Sequence, residues 1–210
     1  MNTAKTIILL FCLSLTACKK DRDTQTNAPQ PTPAVQINIA DDKIAIDNLV
    51  KDMYVWNEKR HQDKDFETVV KDSMVVGYNM ENHKRFLKEL RTSGFFAEEF
   101  ITNIDKIAQE QHKLLSSGKI KWSDGDLGPF DGDVNAWCGC QDEPAANAYR
   151  KITLHFEKID NNAATFYWNW EGFGADWAAE HYNMRAVKEN GKWKIAYMQG
   201  WDYAANLGVE

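Results

Sequence analysis

The chain has 210 residues, a formal charge of −6, 43% hydrophobic and 27% charged residues. This is ordinary globular composition with a single long apolar run, which excludes a polytopic membrane protein. The acidic balance argues against a nucleic-acid partner held by bulk charge, and eight Trp, seven Tyr and ten Phe make the chain rich in aromatic rings.

The apolar run is N-terminal. Lys5 precedes Thr6 to Leu15, a stretch short of the roughly 20 residues that span a bilayer. A positive residue before a short apolar core is the layout of a secretory signal. The run ends in Leu15-Thr16-Ala17-Cys18, which resembles the bacterial lipobox, where small residues precede a cysteine that is acylated before cleavage. The resemblance implies a signal peptide over 1–17, acylation (palmitate among the chains) at Cys18, and attachment to the bacterial cell envelope, with the outer membrane as the expected address. Lys19-Lys20-Asp21-Arg22-Asp23 is similar to the charged export tag of bacterial surface lipoproteins, and a plain solvated charge cluster accounts for it equally. Pro29, Pro31 and Pro33 among polar residues extend the chain, so 18–40 reads as a lipidated tether.

The folded domain is expected over 41–210. Asp41 or Asp42 caps a helix carrying Ile46, Leu49/Val50, Met53 and Trp56. A second helix is expected from Asp65, with Phe66, Val69/Val70 and Met74 on one face. A third covers Asn82 to Arg91 and is broken by Thr92-Ser93-Gly94. The fourth carries Phe96, Phe100, Ile104, Ile107, Ala108 and Leu115, with Gly118 as its terminal glycine.

From Lys119 to Ala148 Gly and Asp dominate, and a long irregular segment inside a domain is often functional. Asp131, Asp133 and Asn135 fall at positions 1, 3 and 5 of an EF-hand-like loop, with Asp142 at 12. Ala136 stands where that loop requires glycine, so calcium competes with a reading as plain Asp-Gly turns. Cys138 and Cys140 are the cysteines left to pair in a mature chain. A strained local disulfide, free thiols, a two-thiolate metal site and an intermolecular bridge all remain open.

After Tyr149 the period becomes two. Ile152, Leu154 and Phe156 alternate with polar residues, as do Phe166, Trp168 and Trp170. A three-residue loop or a bulge near Asn161-Asn162 sets Phe156 opposite Phe166 and Leu154 opposite Trp168, keeping apolar residues on one face. Asn190-Gly191 predicts a type I′ hairpin pairing Lys188 with Trp193, Ala186 with Ile195, Met184 with Tyr197 and Tyr182 with Gln199. That register puts Tyr182, Met184, Trp193, Ile195 and Tyr197 on one face. His181, Asn183, Arg185, Lys194 and Met198 take the other.

Helices first and a curved antiparallel sheet afterwards make an α+β fold. The ending Val187-Lys188-Glu189-Asn190-Gly191-Lys192-Trp193-Lys194-Ile195 resembles the closing hairpin of the NTF2-like (cystatin-like) superfamily. Asp131-Gly132-Asp133 to Gln141-Asp142-Glu143-Pro144 is similar to a bacterial NTF2-like lipoprotein family of unknown function. The resemblance implies a cone with a cleft between sheet and helices, and no single chemistry.

About half of the aromatic residues lie between Tyr149 and Tyr203, where rings either fill the core or stack a flat or sugar-like ligand. Tyr167, Asn169, Glu171, Asp176, His181 and Arg185 are the polar groups available to orient such a ligand. The sequence shows no HExxH, phosphate loop, nucleophile elbow or dinucleotide fingerprint, and Ser116-Ser117-Gly118-Lys119 lacks the partner motifs of an S-x-x-K enzyme. The expectation is a non-catalytic envelope lipoprotein that binds a small ligand or an envelope protein. The alternative is a cleft enzyme using His181 with Asp176 or Glu171 as acid–base groups.

Overall fold

The computed structural model describes residues 38–60, 65–126 and 134–207. Cys18, the expected tether up to residue 37, Asp131 and Asp133 lie outside the described residues, while Ile39 and Ala40, expected in the tether, begin the first helix. The described fold is α+β, with five α-helices and two antiparallel sheets.

Helix α1 (Ile39–Lys59) buries Ile46, Val50, Met53 and Tyr54 on one stripe. Asp41 and Asp42 sit in its first turn, where the helix dipole favours carboxylates, and Asn38 takes the capping position. Asp42 accepts from Trp193 Nε1 at 2.8 Å and pairs with Lys188 Nζ at 2.7 Å, which ties α1 to the far sheet. Burial opposes the charged form, but the Lys188 and Trp193 donors win and hold the Asp42 carboxyl below its ordinary value.

The helix expected from Asp65 is not formed. Residues Thr68–Lys71 (β1) and Met74–Tyr78 (β2) make a hairpin instead. Asp72 and Ser73 turn it with φ of 51° and 61°. Four valines flank that turn, and β-branched side chains lose rotamer freedom in a helix but fit a pleated surface. A short third strand, Trp122–Ser123 (β3), pairs with β2.

Helix α2 (Met80–Ser93) starts at Asn79, whose side chain accepts from the Asn82 N–H, and stops at Gly94. Helix α3 (Glu98–Ser116) buries Phe100, Ile104, Ile107, Ala108 and Leu115, as the stripe predicts. Gly118 follows with φ of 69°, the left-handed conformation that closes a helix. Phe96 lies outside α3. Its segment runs parallel to Ile195, with Ala97 N–H donating to Ile195 O and Ile195 N–H to Phe95 O, both at 2.8 Å.

The larger sheet runs in the order β4 (Thr153–Ile159), β5 (Ala163–Asn169), β6 (Tyr182–Glu189), β7 (Lys192–Met198). Phe156 faces Phe166 and Leu154 faces Trp168, with a bulge after Phe156, as expected. The last hairpin keeps its expected register at Lys188–Trp193 and Ala186–Ile195. A bulge then corrects the rest: Met184 faces Met198 and Arg185 faces Tyr197. The extra residue turns Met198 inward to full burial and leaves Tyr197 half-buried outside. Helix α4 (Ala175–Ala179) links β5 to β6, and α5 (Tyr203–Leu207) follows β7 and packs on α3, where Gln111 Nε2 donates to Asn206 O at 2.8 Å.

Two buried charged or titratable groups secure the helices. The Arg60 side chain is 3% exposed, forks onto Asp65 at 2.6 Å twice, reaches Glu89 at 3.2 Å, and lies over the rings of Trp56, Phe86 and Trp137. His83 on α2 is 2% exposed and shares Nε2 with Asp105 of α3 at 3.0 Å. Burial holds its pKa below the ordinary 6.5, with Asp105 opposing. The unfolded chain therefore takes the proton first, so this stability is full above about pH 6.5 and is lost as pH falls below it. Urea unfolding from pH 8 to pH 5 is expected to show declining stability, with a shallower slope in His83→Gln. An identical slope in the variant contradicts this account.

Candidate functional site

The space between sheet and helices is filled from the middle of the irregular segment. Asn135 N–H donates to Cys140 O at 2.8 Å, while Asn135 O accepts from the N–H groups of Cys138 and Gly139. The Asn135 side chain accepts from Trp137 N–H at 2.9 Å. A disulfide joins Cys138 to Cys140 and closes the tip, with Gly139 between them at φ of 64°. A Cβ on Gly139 would meet the Tyr182 ring at 3.1 Å, so both its conformation and its space call for glycine.

This closed loop carries Trp137 inward, where it is 4% exposed among Trp56, Phe96 and Trp201. Insertion takes two backbone carbonyls out of water, and each finds a phenol. Tyr182 OH donates to Ala136 O at 2.5 Å, and Tyr54 OH donates to Trp137 O at 2.6 Å. Gly200 N–H donates in turn to the Tyr182 hydroxyl oxygen at 3.0 Å. Tyr54 stacks on Tyr149 with centroids 4.2 Å apart, and the Tyr149 hydroxyl reaches Glu143 at 2.8 Å. Burial pushes all three phenols above their ordinary pKa of 10, so they stay neutral donors. Trp168 and Trp170 complete the packing at 4.9 Å.

Of the six residues expected to orient a ligand, Tyr167, Asn169, Glu171 and His181 form one connected group with His155, while Arg185 and Asp176 stand elsewhere. Tyr167 is on the outer face of the sheet, sandwiched between His155 at 4.7 Å and His181 at 4.1 Å in near-parallel stacks. Glu171 sits 3.4 Å from His155 Nε2, so it serves His155 and not His181. Asn169 is buried as an organiser. Its Oδ1 lies 3.3 Å from both His155 Nε2 and Glu171 N–H, and its Nδ2 donates to Ala178 O at 2.9 Å. Arg185 forks onto Glu99 of α3. Asp176 lies apart, on α4. His155 was not among the expected residues, although the predicted facing of Phe156 and Phe166 already sets His155 opposite Tyr167.

Asp176 lines an open cleft of about 450 Å³ between the disulfide-closed loop and α4. Asp142, Glu180, Gln141, Cys140, Trp170 and Trp177 line it with Asp176. Of the calcium candidates, Asn135 is engaged in its own turn and Asp142 faces this cleft. Among the described residues, no three His, Cys, Asp or Glu side chains come together closely enough to hold a metal ion. A second hollow of about 600 Å³ lies between the start of α1, the α2–α3 corner and the β6–β7 turn. Of the carboxylates that line it, Asp42 is already paired with Lys188.

No family model, curated protein or solved structure matches this chain.

The clamp leaves a mutational signature. Gly200 abuts the Ala136 carbonyl so closely that a Cβ cannot fit, while one on Gly172 meets nothing within 4 Å. Gly200→Ala is expected to cost about 3 kcal/mol, roughly 6–12 °C in Tm. Gly172→Ala should stay within about 0.5 kcal/mol of the parent. Equal thermal midpoints for the two variants would contradict the close packing of loop and sheet.

Proposed function

We propose that this chain is a lipid-anchored protein of the bacterial envelope whose folded part is an NTF2-like cone acting as a non-catalytic binding module. The observation that carries the reading is the filled interior. Where such a cone would offer a buried cleft, Tyr54, Trp137, Tyr149, Trp168, Trp170, Tyr182 and Trp201 are packed against one another. Catalysis needs acid–base groups that share a site of restricted water access. Here Glu171, Asp176 and His181 are exposed, Glu171 is engaged with His155 and not with His181, and Asp176 lines a different, open cleft. An enzyme built on His181 with Asp176 or Glu171 therefore has less support than a surface that binds a ligand or an envelope protein.

The helices that precede a β4-β5-β6-β7 sheet, and the Asn190-Gly191 closing hairpin, support the NTF2-like reading. Among the described residues no helix is long and apolar enough to cross a membrane. Membrane attachment in this reading falls to acyl chains on Cys18, for which each buried methylene contributes about 0.8 kcal/mol. Fractionation of cells fed a labelled fatty acid tests this. The parent chain is expected in the membrane fraction carrying label, and Cys18→Ala is expected to lose both. Membrane partition unchanged in Cys18→Ala would sink the proposal.

A further inference from the structure

The Cys138–Cys140 disulfide contributes little that the fold needs. It bridges a single intervening residue, and the stabilisation a disulfide supplies grows with the length of the loop it closes. The tip is held by other means. The N–H groups of Cys138 and Gly139 donate to Asn135 O, and Asn135 N–H donates to Cys140 O. Tyr182 and Tyr54 hold the carbonyls of Ala136 and Trp137. None of these bonds involves a sulfur, so opening the bridge leaves the two cysteines side by side.

The two sulfurs differ in access. Cys138 is 4% exposed, whereas Cys140 is half-buried between exposed Gly139 and Gln141 and lines the open cleft of about 450 Å³. The buried sulfur has a place for a proton. Cys138 Sγ lies 3.6 Å from Asn135 O and 3.8 Å from Cys140 O, so as a thiol it donates to a carbonyl and is not left unpaired. One backbone therefore accommodates both redox states. An accessible sulfur beside a shielded one, closed into a small ring, is the arrangement of a labile disulfide and not of a structural one.

We propose that Cys138–Cys140 is a thiol–disulfide exchange site that takes an electron pair from a dithiol partner. A partner thiolate attacks Cys140 Sγ, the S–S bond breaks, and Cys138 leaves as a thiolate that takes up a proton. The partner's second thiolate then attacks its own sulfur in the mixed disulfide, and Cys140 leaves and is protonated in turn. The partner ends as a disulfide, having lost two electrons and two protons, and Cys138 and Cys140 end as two thiols, having gained them. The reverse direction reduces a partner disulfide. The inference goes beyond the binding-module reading and does not rest on it.

Equilibration of the detergent-solubilised full-length protein in glutathione buffers tests it, with thiols trapped by alkylation and the label mapped by mass spectrometry to Cys138 and Cys140. Dithiol and disulfide are expected to interconvert reversibly in the native protein, with Tm moving by less than about 4 °C on reduction. The single variants test the order of attack. Cys140 in Cys138→Ser is expected to take up a thiol reagent at least about tenfold faster than Cys138 in Cys140→Ser. A bridge that stays closed at about 10 mM reduced glutathione and opens only in urea is structural, and overturns the proposal. Loss of the native fold on reduction, or equal reactivity of the two remaining thiols, overturns it as well.

Discussion

Tyr54 and Tyr182 each spend a hydroxyl on one of two consecutive carbonyls, Trp137 and Ala136, deep inside the domain. An unpaired buried carbonyl costs about 1–3 kcal/mol, so without these phenols the loop could not carry its backbone into an apolar interior. With them, Trp137 reaches the space between α1, α3 and the sheet, and the surrounding rings pack onto it. Arg60 closes the arrangement from the other side. Its guanidinium lies over Trp137 and Trp56 while Asp65 and Glu89 hold its charge. The disulfide and Gly139 shape the tip so that it fits under the Tyr182 ring.

That constraint moves any functional surface outward. Among the described residues the space between sheet and helices is packed with rings, so the polar groups left for recognition lie on the outer sheet face and around the loop itself. The outer face carries the His155–Tyr167–His181 stack with Glu171 at its side. The loop and α4 frame the acidic cleft. The element that closes the interior therefore also builds the cleft wall, because Cys140 and Gly139 line one side of it.

The local parts of this fold were legible from residue order alone. Asn190-Gly191 set the last hairpin, and the requirement that Phe156 and Phe166 share a face set the earlier register. The β1–β2 hairpin was not legible, because Phe66, Val69/Val70 and Met74 satisfy a helical spacing as well as a strand. The bulge that turns Met198 inward was hidden for a similar reason: Tyr197 and Met198 are both acceptable core residues, and only packing against the helices chooses between them. The loop was the hardest case. Its Asp and Gly content reads as surface turn, and the partners that bury it, Tyr54 and Tyr182, lie 83 and 46 positions from the carbonyls they serve. The aromatic excess was visible, and its division into filled core and exposed stack was not.

Native-state hydrogen exchange tests the central claim most directly, that the disulfide-closed loop belongs to the core. The amides of Cys138 and Gly139 both donate to Asn135 O inside the loop. If the tyrosine clamp holds the loop in place, these amides exchange only through global unfolding, with the same opening free energy as the amides of the central strand β5. Exchange through a local opening several-fold easier than that of β5 would show the loop to be a surface turn resting on the sheet, and would contradict the account.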